Sequence, residues 1–160
     1  MSKKGKVLMA MSGGIDSTVA ALMLHKEGYE VVGITMKTWD YASSVGTSGK
    51  KETGCCNLDS FNDARQAAVH HGFPHFILDI REEFGDFVIE NFVEEYLAGR
   101  TPNPCVMCNT HIKWRALLKR ADAMGCDFIA TGHYAQVLQH DNGRYFIRKG
   151  IDDTKDQSYA

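Results

Sequence analysis

KVLMAMSGGIDSTVAALML, residues 6–24, contains the change of period that decides the fold. Lys6 to Met11 is an apolar run too short for a buried helix, and Ser12-Gly13-Gly14 ends it in a tight turn, so it reads as a buried strand. Ile15, Val19, Leu22 and Met23 then recur at helical spacing, and Gly28 is a suitable C-terminal stop. Tyr29 to Met36 (YEVVGITM) reads as a second strand. A strand, turn, helix and strand in this order form the unit from which parallel sheets are built.

The pattern continues outward. Lys37 to Cys56 is polar and glycine-containing, a loop with few large apolar groups between Ala42 and Thr53. Asn57 or Asp59 is placed to cap a helix running to His71, with Phe61, Ala64 and Ala68 inward and Gly72 as its stop. A strand follows at His75 to Asp79, then a helix from Arg81 to Ala98 whose stripe of Phe84, Phe87, Val88, Phe92 and Tyr96 reads as core packing. Thr101 to Pro104 breaks regular structure and opens another helix that ends near Gly125. Asp127 to Ala130 is a further strand, and two short runs flanking Asp141-Asn142-Gly143 form a hairpin. Alternating strands and helices imply an α/β fold, a three-layer sandwich around a mostly parallel sheet, with ligands outside the carboxyl ends of the strands.

At 160 residues the chain fits one domain with a real core. Its composition, 44% hydrophobic and 24% charged, is that of an ordinary globular protein. No stretch approaches the ~18 apolar residues of a membrane span, and the run after the basic start is too short for a signal peptide, so a cytoplasmic protein is expected. A net charge of −2 argues against a surface that coats nucleic acid by general attraction. Five cysteines, an odd number without a secretory signal, point to reactive or metal-bound thiols rather than a disulfide framework.

Ser12-Gly13-Gly14-Ile15-Asp16-Ser17 is the sharpest chemical signal. Glycines let the backbone approach phosphate oxygens, the helix start supplies N–H groups and a favourable dipole, and the serines add donors. No Gly-Lys-Ser/Thr closes the loop, so it is not a Walker A motif; Mg²⁺ near Asp16 is the expected source of neutralising charge.

Placed after an apolar strand, this string resembles the PP-loop of ATP pyrophosphatases with the adenine nucleotide alpha hydrolase-like fold, which cleave ATP between the α and β phosphates to activate a carbonyl. Further segments narrow the resemblance: Gly33 to Trp39 (GITMKTW), Gly99 to Pro104 (GRTPNP), Cys108-Asn109, Ala130 to Tyr134 (ATGHY) and Lys155 to Tyr159 (KDQSY). In order and spacing they are similar to the tRNA-specific 2-thiouridylases, over nearly the whole chain. The resemblance implies that Ala10, Met11, Ser12, Gly13, Gly14, Ile15, Asp16 and Ser17 bind ATP, with Met36 and Gly132 completing the adenine and ribose pocket. It implies Cys108 as nucleophile and sulfur carrier, Asn103, Pro104 and Cys105 approaching the target base, and Lys155, Asp156 and Gln157 contacting tRNA. Residues 1–160 would then be the amino-terminal PP-loop domain of a longer enzyme, with tRNA-binding and β-rich regions downstream. The partners implied are a tRNA with a wobble uridine and a sulfur-donor protein.

The chemistry of the residues agrees for Cys108, a thiol after a proline-rich loop and near a helix start, where the thiolate is favoured. The sequence departs from the familiar family pattern at Cys105, where an aspartate often stands. Cys105 therefore enters as an accessory thiol, and Cys105 with Cys108 as two ligands for zinc or a [4Fe–4S] cluster that needs a third cysteine. Persulfide and cluster chemistry both stay open. Cys55 and Cys56 are adjacent and awkward for one ion, and Cys126, before an apolar strand, reads as core. His133 is placed to line the nucleotide cleft, and Lys113, Arg115, Lys119 and Arg120 form a basic helical cluster. Two other functions share the loop: a synthetase domain activating a small-molecule carbonyl, which has no use for Cys108 beside Asn103-Pro104, and a non-catalytic nucleotide-binding module, which tolerates loss of both cysteines.

Overall fold

The computed structural model describes residues 4–38 and 58–159. Trp39, the polar loop that carries Cys55 and Cys56, and the cap position Asn57 lie outside the described residues. Strand β1 (Lys6–Ala10) pairs on both sides, with β2 (Glu30–Lys37) and with β4 (Phe128–Ala130). Val7 faces Val31 on one side and Phe128 on the other. A strand enclosed this way must be apolar on both faces, which is why its sequence runs without alternation and Val7, Leu8 and Met9 are buried. With β3 (His75–Asp79) paired to β2, the sheet has the order β3-β2-β1-β4 and is parallel throughout.

Helices cover both faces. On one, α1 (Ile15–Lys26) and α2 (Leu58–His71) bring Ala21, Ala64 and Ala68 against Met9, Met11 and Val31. Alanines at these points let the helices sit close to the sheet. On the other, Val88, Cys108, Ile112, Leu117 and Ala121 pack on Leu8, Val32, Ile34 and Met36. Each large side chain so buried contributes roughly 1.5–3 kcal/mol. The three-layer sandwich expected from the sequence is the fold observed.

Of the four residues at helical spacing in α1, only Leu22 packs on the core. Ile15 is 80% exposed, and Val19 and Met23 also face solvent, while Ser17 and Ala21 are buried and Ala20, Leu22 and Leu24 pack beside them. The cause lies in the preceding turn. Ser12 N–H donates to Ser17 Oγ, and Ser17 Oγ donates to the Gly14 carbonyl, so Ser17 must face inward. At about 100° per residue, positions two away from Ser17 are then turned outward.

A second correction concerns residues 81–97. The helix forms as α3 (Arg81–Phe84), a π-helical turn (Gly85–Ile89) and α4 (Glu90–Leu97). The wider turn rotates everything after it, so Val88 is buried and Phe84 packs on the core while Phe87, Phe92 and Tyr96 are exposed. Most of the aromatic stripe is therefore not core. Asp59 likewise lies inside the first turn of α2 rather than at its cap. The helix after Pro104 also contains a π turn: α5 (Pro104–Cys108), then Asn109–Lys113, then α6 (Trp114–Ala123), with Gly125 beyond it at φ +62°. Strands β5 (Ala135–Gln139) and β6 (Tyr145–Lys149) form the expected hairpin around Gly143, whose φ of +81° suits glycine. Among the described residues no helix is long and apolar enough to cross a membrane.

Candidate nucleotide site at the switch point

The strand order reverses between β1 and β4, and in open α/β sheets ligands bind at that point, outside the carboxyl ends of the strands. A cleft of about 250 Å³ lies there. Its floor is Ala10, Met11, Ser12, Gly14, Asp16 and Ser17, and β2 adds Ile34, Thr35 and Met36. Thr131, Gly132 and His133, just after β4, form one wall; Asn109, Lys113 and Trp114 form another, and Gln157 closes the rim.

Two glycines make this geometry. Gly13 has φ +80°, and a Cβ there would collide with the backbone of Ser60 at the start of α2. A Cβ on Gly132 would stand 2.7 Å from Ser17 N and Cα, backbone that cannot yield. The loop after β4 thus approaches the start of α1 more closely than any side chain permits. Gly14 begins α1 in extended conformation (φ −76°, ψ 161°) without a side-chain cap. A helix start of this kind presents backbone N–H groups and the positive end of the dipole to an anion.

One group lining the cleft, His133, and one bonded to its lining, Tyr134, have displaced acidities. Burial, and then the nearby Lys113 ammonium, lower the pKa of His133, favouring the neutral ring; its Nδ1 pairs with Thr131 Oγ1 at 2.7 Å and its ring lies 6.0 Å from Trp114. Tyr134 donates its hydroxyl to Asp16 Oδ1 at 2.5 Å, a bond that, with burial and the carboxylate charge, raises the phenol pKa.

Of the residues assigned to ATP, the cleft gathers Ala10, Met11, Ser12, Gly14, Asp16, Ser17, Met36 and Gly132. Ile15 points away, and Gly13 serves from behind, against Ser60. The Asn103 to Cys108 segment is arranged differently from expectation. Asn103 Oδ1 accepts from Val106 N–H and Pro104 stands at the first turn, so the helix start is capped. Cys105 is exposed there, but Cys108 ends α5, beyond the first turn where the dipole acts, and is only 5% exposed. The expectation of a thiol at the helix start therefore fits Cys105 and not Cys108. Cys108 packs on Met36, on the same sheet face as Trp114 and Leu117, and the next residue, Asn109, lines the cleft. Cys126 packs against that core, where burial raises its pKa.

Lys155, Asp156 and Gln157 also part company. Gln157 lines the cleft, while Asp156 turns its carboxylate into its own loop, accepting from Gly150 N–H at 2.8 Å and from Ser158. Sequence reasoning missed Thr131, Asn109 and Trp114 as cleft residues and placed Lys113 in a basic helical cluster, for tRNA phosphates or for solvent, rather than in the cleft. Adjacency to Gly132 and to Cys108 could have found Thr131 and Asn109; Lys113 and Trp114 carry no such signal. Among the described residues no three His, Cys, Asp or Glu side chains are grouped to hold a metal ion, so Cys105 and Cys108 find no third cluster ligand there. A single magnesium contact is a lesser demand, and Asp16, a hard oxygen donor beside the phosphate loop, fits it.

A parallel sheet with a glycine phosphate loop at its switch point defines a nucleotide-binding α/β domain of the HUP, PP-loop type. The chain belongs to the tRNA methyl transferase HUP domain family, whose model matches residues 5–160. It is 72% identical over 160 residues to the tRNA-specific 2-thiouridylase MnmA of Cytophaga hutchinsonii, covering 100% of this chain and 43% of that protein. It is 71% identical over 158 residues to the tRNA-specific 2-thiouridylase MnmA of Amoebophilus asiaticus, covering 99% of this chain and 41% of that one. The chain thus spans about two fifths of the length of these relatives. Among solved structures, an NMN synthetase from Francisella tularensis aligns over 79% of this chain and 44% of its own, with 19% identity and a TM-score of 0.45, too slight a likeness to argue from.

Proposed function

We propose that residues 1–160 are the PP-loop domain of a longer enzyme that thiolates the wobble uridine of tRNA at C2. The observation that carries the reading is the joining of an uncapped helix start, Asp16 and Gly132 in one cleft, with Cys108 behind its wall. The name and identity of the relatives support the substrate. ATP phosphates would lie along Ser12 to Ser17 with adenine on Met36, and Asp16 would hold Mg²⁺, which would neutralise phosphate charge. Lys113 faces the same cleft and supplies the fixed positive charge that the loop itself lacks.

The C2 carbonyl oxygen of the uridine attacks the α phosphate, pyrophosphate leaves, and C2 becomes an adenylate. A sulfur-donor protein has already left its terminal sulfur on Cys108 as a persulfide. That sulfur attacks C2, AMP departs with the former carbonyl oxygen, and a C2–S–S–Cys108 link results. A second thiol attacks Cys108 Sγ, the base keeps the transferred sulfur, and the two thiols end as a disulfide. Because Cys108 is buried at rest, the turn at Asn103 to Cys105 must move twice, once for the donor to load the sulfur and again for the sulfur to meet the base. Asn103, Pro104 and exposed Cys105 are the part of the chain placed to feel the RNA. Asp156 fixes the loop that presents Lys155 and Gln157 to it.

Mass spectrometry of wobble uridines from cells deleted for the gene tests the assignment. Loss of 2-thiouridine, restored by the full gene and not by a Cys108→Ser version, is expected. Undiminished 2-thiouridine in the deletion strain would refute it.

A further inference from the structure

Tyr134 follows the Gly132 wall and belongs to neither the phosphate loop nor the thiol segment. It is nevertheless bonded to both ends of the cleft. Its hydroxyl donates to Asp16 Oδ1 at 2.5 Å, across 118 residues of sequence. Its backbone forms a reciprocal pair with Gln157: Tyr134 N–H donates to Gln157 Oε1 at 3.1 Å, and Gln157 N–H donates to the Tyr134 carbonyl at 2.9 Å. The Lys155 ammonium stands 5.4 Å from the Tyr134 ring centroid. The loop so anchored is internally rigid, because Asp156 accepts from Gly150 N–H and from Ser158.

We propose that Tyr134 is a positioning residue that couples the phosphate loop to the segment Lys155 to Gln157, so that occupancy of one changes the order of the other. The inference rests on the nucleotide reading above and adds to it a link between the two substrates. A carboxylate has two oxygens. The tyrosine hydroxyl takes Oδ1 of Asp16 and thereby fixes the rotamer in which the other oxygen is presented. Asp16 would be held still on binding Mg²⁺ with ATP; Asp16 holds the phenol, and the backbone of Tyr134 holds Gln157. By linkage the same bonds work in reverse: a ligand that orders Gln157 favours the Asp16 rotamer that receives the nucleotide. The coupling passes through the Tyr134 side chain and two hydrogen bonds of its backbone, one to the Gln157 side-chain oxygen and one from the Gln157 N–H, with no domain movement.

Tyr134→Phe is the variant that isolates this bond. It keeps the ring under Lys155 and both backbone bonds to Gln157, and removes only the hydroxyl on Asp16. Hydrogen exchange of this chain, resolved to single amides, is measured with and without Mg-ATP. In the wild type, ATP is expected to slow exchange at Ser12 to Ser17 and to slow the Gln157 amide at least threefold. In Tyr134→Phe the slowing at Ser12 to Ser17 should persist while the change at Gln157 disappears. A merely structural tyrosine would alter exchange equally with and without nucleotide. An ATP effect on Gln157 that is the same in both proteins, or absent from the wild type while the loop is protected, would overturn the coupling and leave the nucleotide site standing. Absence of protection at Ser12 to Ser17 in the wild type would overturn the nucleotide site and the coupling with it.

Discussion

The chain contains two helix starts close to the proposed chemistry, and they are built in opposite ways. At α1 the cap residue, Gly14, offers no side-chain cap, and the glycine turn before it leaves the helix opening onto the cleft. At α5 the Asn103 side chain accepts from Val106 N–H and Pro104 removes a donor at the first position. The first start keeps its backbone donors for a ligand. The second satisfies its start with the Asn103 cap and Pro104, and so is no anion site. On the proposed reading, the difference lets a single chain offer one helix start to phosphate and keep Cys108 buried a turn beyond the other.

The largest expected effect comes from closing the first site. Gly132→Val drives a side chain into Ser17 backbone, where the Cβ alone would stand at 2.7 Å. We expect destabilisation of about 1–3 kcal/mol, the usual cost of overpacking, and at least a tenfold loss of ATP affinity, read by denaturant unfolding and calorimetry. Full affinity in a folded variant would mean that the close approach of the two loops does not shape the site.

Exchanging the capping of the two helices sharpens the contrast. Gly14→Ser adds a cap to α1 at a φ of −76° that serine adopts readily. Its hydroxyl competes with phosphate for the same donors, so ATP affinity should fall severalfold while stability rises by a few tenths of a kcal/mol. Asn103→Ala should do the reverse: lose about 1 kcal/mol of stability and leave ATP affinity unchanged. Equal effects of the two substitutions on ATP binding would erase the distinction between the two helix starts.

The smallest effect is a pH dependence. His75, bonded to Thr35 at 2.8 Å, has its pKa lowered by burial and then by Arg65, and His133 shifts in the same direction. Below the ordinary histidine pKa of 6.5 the unfolded chain takes up protons that these rings resist. Their contribution is therefore complete above 6.5 and lost as pH falls through the folded pKa. Thermal unfolding followed between about pH 8 and 5 should show a shallower slope in His75→Gln than in the wild type; an unchanged slope would remove His75 from this role.

What the sequence disclosed follows the same division. The turn at Ser12 to Ser17 was legible because its geometry resides in backbone: a strand, glycines and a helix start leave a pattern in consecutive residues. The buried strands and the alanine face of α2 were legible for the same reason. Side-chain arrangements that depend on rotation were not. Ile15, Val19 and Met23 matched a helical period, but the Ser17 hydrogen bonds set which stripe turned inward. The π turn at Gly85 moved Phe92 and Tyr96 out of the core, and no residue type announces such a turn. Tyr134 and Lys113 meet the cleft from distant positions, through contacts that only the folded chain creates.

Backbone amide shifts recorded while Mg-ATP is titrated into this chain test the central claim most directly. If ATP phosphates rest on the open start of α1, the largest shifts will fall at Gly13 to Ser17 and at Gly132, with little change at Cys105 to Cys108. Shifts centred on the capped start of α5, or none at millimolar nucleotide, would contradict the assignment of the phosphate site.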